Sequence, residues 1–343
     1  MKEFLKRKGV EISFQAYAIT ALSYMALGLF ASLIIGVIIQ TIGTEVPYAP
    51  EIFVEAGGYA IQGGVYGGAI GVAVAYGLKA PPLVMFSALF AGSFAAHPDF
   101  INSGPAGSFI AALIAIEVGK LVSKETKIDI IVTPFVTIMV GYIVAKLIGV
   151  PIAEFLTAFG DVIEWAIQLR PLLMGIIVAV LMGLALTAPI SSVAIAIMLD
   201  LNGLAAGAAT VGCAAQMIGF AVSSYRENKF SGLISQGLGT SMLQVANIMK
   251  NPAILIPPTI AGALLAPIAT VWLELENNAY GAGMGTSGLV GPIMTLKTMG
   301  FTQDIFWIVI LLFFIAPAMI SLLISEWLRK RGVIKAGDMK LDV

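Results

Sequence analysis

Long apolar runs set the limits on what this chain can fold into. Eight of them, at about 16–40, 57–78, 105–122, 128–150, 172–199, 203–223, 253–273 and 303–328, take up most of the 343 residues. A helix needs roughly 20 mostly apolar residues to cross a bilayer, and each run comes close to that length or exceeds it. Hydrophobic residues make up 59% of the chain and charged residues 11%, where soluble domains carry about a quarter charged residues. The expectation is an all-α integral membrane protein.

Two weaker segments, about 81–97 and 231–249, are short or polar enough to be spans, broken helices or re-entrant hairpins, and a Gly-rich piece at about 280–299 reads as re-entrant. The expected architecture is a single polytopic domain over 1–343, with about eight to ten transmembrane helices plus re-entrant hairpins. Residues 1–170 would form a packing or dimer part, 171–330 a substrate-binding part with broken helices, and 331–343 a cytoplasmic tail.

Lys and Arg in short loops orient such a chain. Lys2, Lys6, Arg7 and Lys8 place the N-terminus in the cytoplasm, and Glu45, Glu51 and Glu55 mark an external loop. Lys79, and then Lys120, Lys124 and Lys127, mark cytoplasmic turns. Segment 151–170, with Glu154, Asp161, Glu164 and Arg170, reads as external and partly amphipathic. Arg329, Lys330, Arg331, Lys335 and Lys340 put the C-terminus inside. Ten crossings keep both ends inside but leave Arg226 and Lys229 outside, against the rule. The start, MKEFLKRKGVEISFQ, is too long and polar for a cleavable signal peptide.

The net charge of −1 points to no nucleic-acid partner, and one Cys and one His exclude a disulfide framework and an ordinary Cys/His zinc site. No metal or cofactor is expected. Cys213, in TVGCAAQMIG, reads as a small buried filler. The absence of GxxxxGK[ST] argues against ATP-driven pumping, and Ser191 has no nearby His for a hydrolase arrangement.

Gly63, Gly67 and Gly71 repeat at four-residue spacing, with Gly64 and Gly68 beside them. Such a stripe lets another backbone approach closely, within a subunit or between subunits. His97, in AAHPDFINSGP, stands just before a turn, as an interfacial residue or as a proton or substrate contact.

Polar side chains collect where the apolar runs fail. In TAPISSVAIA, Pro189 interrupts a long run and brings Thr187, Ser191 and Ser192 together. In SGLISQGLGTSMLQVANIMKNP, Gln236, Thr240, Gln244 and Asn247 follow i, i+4, i+8, i+11, the pattern of one helix face, with Ser241 beside them. In ELENNAYGAGMGTSGLVGP, Glu276, Asn277 and Asn278 precede a loop with Thr286 and Ser287. Irregular backbone survives in hydrocarbon only where protein or a wet cavity satisfies it. Amides, hydroxyls and a carboxylate with few cations suit a neutral polyhydroxylated solute, because Asn and Gln both donate and accept. A broken-helix site near the midplane is a recurring transporter design. The alternative is that these groups only pair one another across helices. Glu276 is either an intramembrane functional carboxylate or a loop residue.

From GPAGSFIAALIAIEVGKLV through VTPFVTIMVGYIVAKLIGVPIAEFLTAFGDVIEWA to LLMGIIVAVLMGLALTAPISS, the segment order resembles a fructose-type enzyme IIC of the bacterial phosphoenolpyruvate-dependent sugar phosphotransferase systems. GLISQGLGTSMLQVANIMKNPAILIPP stands where that family carries a motif like ITEGAIPFA, and NNAYGAGMGTSG takes the place of its Gly-rich segment. Together with QMIGFAVSSYREN, these strings look like a divergent stand-alone branch, over roughly residues 55–330. The resemblance implies a homodimeric sugar permease in the bacterial cytoplasmic membrane, with sugar bound among 187–192, 231–247 and 276–288. A cytosolic phospho-IIB protein would then phosphorylate the sugar. The family's motif Glu falls on Gln236, so a needed carboxylate would have to come from Glu276 or Glu227. Neither a IIA nor a IIB domain is present in these residues, so phosphorylation needs separate partners. Otherwise the chain is a phosphotransferase-independent facilitator or exporter of a polar solute, or a membrane solute sensor.

Overall fold

The protein is described by a computed structural model of residues 2–341 apart from Pro47 and Asn102, without the side chains of Lys2, Lys6, Glu45, Ala153, Leu156, Thr157, Ala194 and Met198. Lys2, Lys6 and Glu45, used above for orientation, and Asp342 and Val343 of the tail thus lie outside the described side chains. The chain divides into two compact units, residues 1–155 and 156–343, with the division inside one long helix. Among the described residues the regular structure is helical, apart from an isolated bridge between Gly203 and Asn277.

In the first unit the run expected at 57–78 is two helices, Ile52–Ala60 and Gly63–Gly77. Gln62 is extended (φ −64°, ψ 139°), and its carbonyl accepts from Val65 and Tyr66 N–H to start the second helix. Gly57, Gly58, Gly63 and Gly64 flank this break, where glycine's weak helix propensity makes leaving the helix cheap. Gly63–Gly77 then runs antiparallel to Pro82–Ala96, which begins on a proline suited to a helical first turn. Gly63, Gly67 and Gly71 face Ala96, Gly92 and Ala88, and a Cβ at any of the three would run into the opposing carbonyl. Helix Gly104–Val122 closes on the same seam, with Ser108 Oγ donating to the Gly92 carbonyl at 2.8 Å. The small-residue stripe is therefore a contact within the chain, where dispersion between closely approached backbones replaces a hydrophobic driving force that lipid does not supply.

The last helix begun in the first unit, Asp129–Ile167, continues through Pro134 and Pro151. The separate amphipathic segment expected at 151–170 is thus helix up to Ile167. Proline deletes one N–H from the ladder, but in an apolar setting no water competes for the bonds that remain.

The second unit is built around Gly203–Ser223, of which 89% of the most apolar stretch is buried. Pro171–Thr187, Ile256–Pro267 and Ala316–Lys330 pack around it, enclosing Met182, Cys213, Met217, Phe220 and Phe313. Cys213 is fully buried among apolar neighbours, as its sequence context predicted. The run expected at 172–199 also splits, into Pro171–Thr187 and Ser192–Met198, with Ala188 extended between them (ψ 160°). Six helices among the described residues are long and apolar enough to cross a membrane, and Pro82–Ala96 and Pro171–Thr187 are shorter apolar helices. The tail does not hang free of the fold: Ile334 and Met339 are buried with Phe220, Ile254 and Leu328.

The seam in the first unit makes a direct prediction. Gly67→Val should lower the stability of the purified protein in detergent by about 1–3 kcal/mol, the usual range for overpacking. Gly68→Ala should lose clearly less, because its added Cβ meets Leu89 Cγ at 3.2 Å and comes no nearer than 3.5 Å to the Leu89 carbonyl. Thermal unfolding of the two variants checks this, and equal losses would mean that the seam is not the tight contact described.

Candidate functional site

Three helices of the second unit stop short, and their loose ends meet. The first break follows Thr187, where Ala188 turns extended ahead of Pro189. The second is at Thr240 (φ −159°, ψ 142°), between the turn Ser235–Gly239 and the tight helix Ser241–Gln244. The third separates Ala279–Ala282 from Val290–Met299, with Gly285 (φ +53°) and Gly288 (φ +54°) supplying left-handed turns that side chains rarely adopt.

Hydrogen bonds tie the three breaks to one another pairwise. Thr187 Oγ1 and Ser241 Oγ are 2.8 Å apart, joining the first to the second. Ser192 Oγ donates to the Gly283 carbonyl at 2.6 Å, joining the first to the third. Thr286 Oγ1 donates to the Gly237 carbonyl at 2.6 Å, joining the third to the second. All four hydroxyl side chains are buried. Ser287 Oγ, next to this triangle in sequence, is buried with no hydrogen-bond partner among the described residues.

The central helix backs the triangle. Gln216 Nε2 donates to Thr259 Oγ1 at 2.8 Å, and its Oε1 accepts from Thr187 Oγ1 at 3.4 Å. Thr210 Oγ1 accepts from Asn277 Nδ2 at 2.8 Å, and the same amide reaches Thr295 Oγ1 at 2.9 Å. Asn278 caps Ala279–Ala282 by accepting from Tyr280 and Gly281 N–H, both at 3.1 Å. These two asparagines hold the base of the Gly-rich turn.

A second polar cluster is a row of amides. Gln236, Thr240, Gln244 and Asn247 do not share one helix face, because the helix ends at Thr240, whose hydroxyl accepts from Met242 N–H at 3.1 Å. Past this break the chain nonetheless brings Gln244 Nε2 to Gln236 Oε1 and Asn247 Nδ2 to Gln244 Oε1, each at 2.8 Å. Gln236 Nε2 donates to Ser224 Oγ at 2.9 Å and to the Gly232 carbonyl at 2.8 Å. Gln244 and Asn247 also donate to the carbonyls of Met339 and Lys340, at 3.0 and 2.8 Å. The amides thus pair with one another and with the folded-back chain end.

Broken helices that meet at a buried polar junction in an all-helical, multiply spanning chain are a recurring feature of solute transporters. The family model described as phosphotransferase system, EIIC matches residues 19–341. The chain belongs to the phosphotransferase system EIIC family. No curated protein and no solved structure matches it. This EIIC is a multi-pass membrane protein and the permease subunit of a phosphotransferase system.

The EIIC fold distributes the predicted residues unevenly. Ser192, Ser241, Thr286 and Ser287 are at or beside the triangle, Gln236, Gln244 and Asn247 form the row, and Thr240 caps the turn between them. Ser191 lies within the first break and is partly buried. Glu276 is exposed, with its backbone N–H on Met299 Sδ at 3.3 Å, and Glu227 is engaged by Arg329 at 2.9 Å. His97 belongs to the first unit, where it ends Pro82–Ala96, accepts from Asp99 N–H at 3.2 Å and packs on Phe100. Among the described residues no group of three or more His, Cys, Asp or Glu converges as metal ligands do.

Sequence reasoning missed Gln216, Thr259, Thr210 and Thr295. Gln216 left a signal, since a lone amide inside TVGCAAQMIG is expensive in a span unless something uses it. The hydroxyls left none, because Ser and Thr in a helix routinely bond their own backbone.

The row predicts a pH-dependent defect. Gln236→Glu would set a carboxylate against the Gly232 carbonyl, where the native Nε2 donates. Protonated, the new side chain can still donate; ionised, it faces an acceptor in a buried site and its folded-state pKa rises. The variant should therefore lose stability relative to the native protein as pH rises above about 4.3, the unfolded carboxyl value, by up to about 1.4 kcal/mol per pH unit until the folded-state pKa is passed. Thermal unfolding between pH 5 and 8 checks it, with Gln236→Ala as a control that has no such slope.

Proposed function

We propose that this EIIC binds and carries a sugar or related polyhydroxylated solute through its second unit, at the junction of the three breaks. The observation that carries this reading is the triangle of hydroxyl–hydroxyl and hydroxyl–carbonyl bonds with the unpartnered, buried Ser287 hydroxyl beside it. A sugar hydroxyl both donates and accepts, so it can replace any one side of the triangle without leaving a buried group unsatisfied. Gln216, Asn277 and Asn278 would orient the turns from behind, and the exposed Glu276 would meet solute at the mouth. Residues 1–155 would supply packing and the homodimer contact, and the excess of Lys and Arg near both termini favours a cytoplasmic location for them, in a bacterial plasma membrane. Separate IIA and IIB proteins would deliver the phosphoryl group, with this chain binding and orienting the sugar.

A second reading, transport without phosphorylation, is favoured by Gln236. The fructose-type motif has a carboxylate there, whereas this amide is committed to Ser224, Gly232 and Gln244. Uptake in cells lacking the general phosphotransferase proteins separates the two: strict dependence excludes the plain facilitator, and unchanged uptake excludes coupling.

Purified protein screened against sugars, polyols and sugar acids should gain about 2.7 kcal/mol of apparent stability at 100 times the dissociation constant of its solute. Ser287→Ala should weaken that solute's affinity about two- to tenfold, the worth of one neutral hydrogen bond, with little effect on the unliganded protein. If no compound in the panel shifts unfolding and no saturable uptake occurs in vesicles, the solute reading is wrong.

A further inference from the structure

The last described residues form a strap, and its contacts differ in kind from those of a passive tail. After Ala316–Lys330 ends, Gly332 (φ +71°) turns the chain, and Val333 N–H donates back to the Leu328 carbonyl at 3.0 Å. Ile334 and Met339 enter an apolar socket of Phe220, Ile254 and Leu328. Between them a tight turn forms, with Gly337 at φ +92° and Asp338 accepting from Lys335 N–H at 2.8 Å and from Asn251 Nδ2 at 2.7 Å. A second Asn251 bond, to the Val333 carbonyl at 3.0 Å, and one from Gly337 N–H to Glu227 at 3.3 Å hold the flanks.

The strap ends on the amide row. The Met339 carbonyl accepts from Asn228 Nδ2 at 2.8 Å and from Gln244 Nε2 at 3.0 Å. The Lys340 carbonyl accepts from Asn247 Nδ2 at 2.8 Å, and Leu341 N–H donates to Asn228 Oδ1 at 2.8 Å. Three amides that could hold a polar ligand are thus filled by backbone groups offering what a hydroxyl-rich solute would offer, acceptors and one donor. Gln236, Gln244 and Asn247 are nearly wholly buried. One end of their row joins Ser224 in the body of the unit, and the other is covered by the strap.

We infer that residues 332–341 are an autoinhibitory latch, which closes the end of the polar path at the amide row and must leave before solute can pass there. The latch is built for release. Its bonds to the amide row are neutral hydrogen bonds that water or a solute can replace, whereas two bonds to carboxylates, Asn251 to Asp338 and Gly337 to Glu227, hold its flank, and Ile334 and Met339 anchor it by apolar burial. The exposed Lys335 and Lys340 give a partner a handle that does not require unfolding the unit. This inference rests on the solute path proposed above.

The test uses the full chain, a chain ending at Arg331, and the full chain with Asp338→Ala, which loosens the turn without touching the amide row. Each is made with and without Asn247→Cys; the native Cys213 is buried. In lipid nanodiscs, alkylation of the introduced thiol by a water-soluble maleimide should be at least tenfold faster without the strap, with Asp338→Ala between. In vesicles, chains with native Asn247 should move a solute that shifts the unfolding of the full chain at least threefold faster once shortened, with a smaller gain for Asp338→Ala. Equal, measurable flux in all three chains overturns the latch and leaves the solute path standing. No flux in any chain overturns the solute path, and the latch with it. If the shortened chain fails to fold, unchanged flux in Asp338→Ala overturns the latch and faster flux supports it.

Discussion

A polar group that leaves the helical ladder inside the fold costs free energy unless it finds a partner in the protein, because neither lipid nor a packed core supplies one. The second unit follows from that requirement. Its helices break three times, and the freed hydroxyls and carbonyls are paired across the breaks, Thr187 with Ser241, Ser192 with Gly283 and Thr286 with Gly237. Sequence polarity decides which side chains are available at each break. Packing around Gly203–Ser223, the most buried of the long apolar helices, decides where they meet.

The same requirement explains what could be read from the sequence. An apolar run of about 20 residues without an internal break is most stable as one helix, so the helices at 105–122, 203–223 and 253–273 were legible almost to the residue, while the runs at 57–78 and 172–199 split. Pro189 and the two serines after it announced the first break, and the spacing of Gly63, Gly67 and Gly71 announced a close backbone contact, though not with which partner. The break at Thr240 was concealed. Gln236, Thr240, Gln244 and Asn247 carry a helical period, and Gly237 and Gly239, the residues that let the chain leave the helix, are common inside membrane helices. Pro151 misled in the opposite direction, because the rule that proline ends a helix is calibrated in water. In the chain end, Arg331, Lys335 and Lys340 gave the look of a solvated tail, while Ile334 and Met339 between them did the docking. Burial of two side chains five residues apart leaves no periodic mark.

The candidate residues were legible as a set but not as a geometry. Their chemistry, amides and hydroxyls with little charge, was plain from composition. Their division into a hydroxyl triangle and an amide row depends on the turn at Thr240 and on the chain end more than 90 residues away. Membership in the EIIC family fixes the class of protein, while residue roles rest on this local geometry.

The energies separate parts that can move from parts that cannot. Each side of the triangle is a neutral hydrogen bond, with a net worth of about 0.5–1.5 kcal/mol. Three of them together come to about 1.5–4.5 kcal/mol, below the roughly 5.5 kcal/mol of differential binding that moves a two-state protein from 1:99 to 99:1. One tightly held solute can supply a difference of that size, and its hydroxyls leave no opened carbonyl unpaired. The Arg329–Glu227 pair is another matter. Both side chains are less than a tenth exposed, and removing either partner of such a pair costs about 3–5 kcal/mol. A solute bound as proposed would therefore open this EIIC along the hydroxyl triangle, with the ion pair between Ala316–Lys330 and Tyr225–Ile234 staying closed as the wall against which the breaks move.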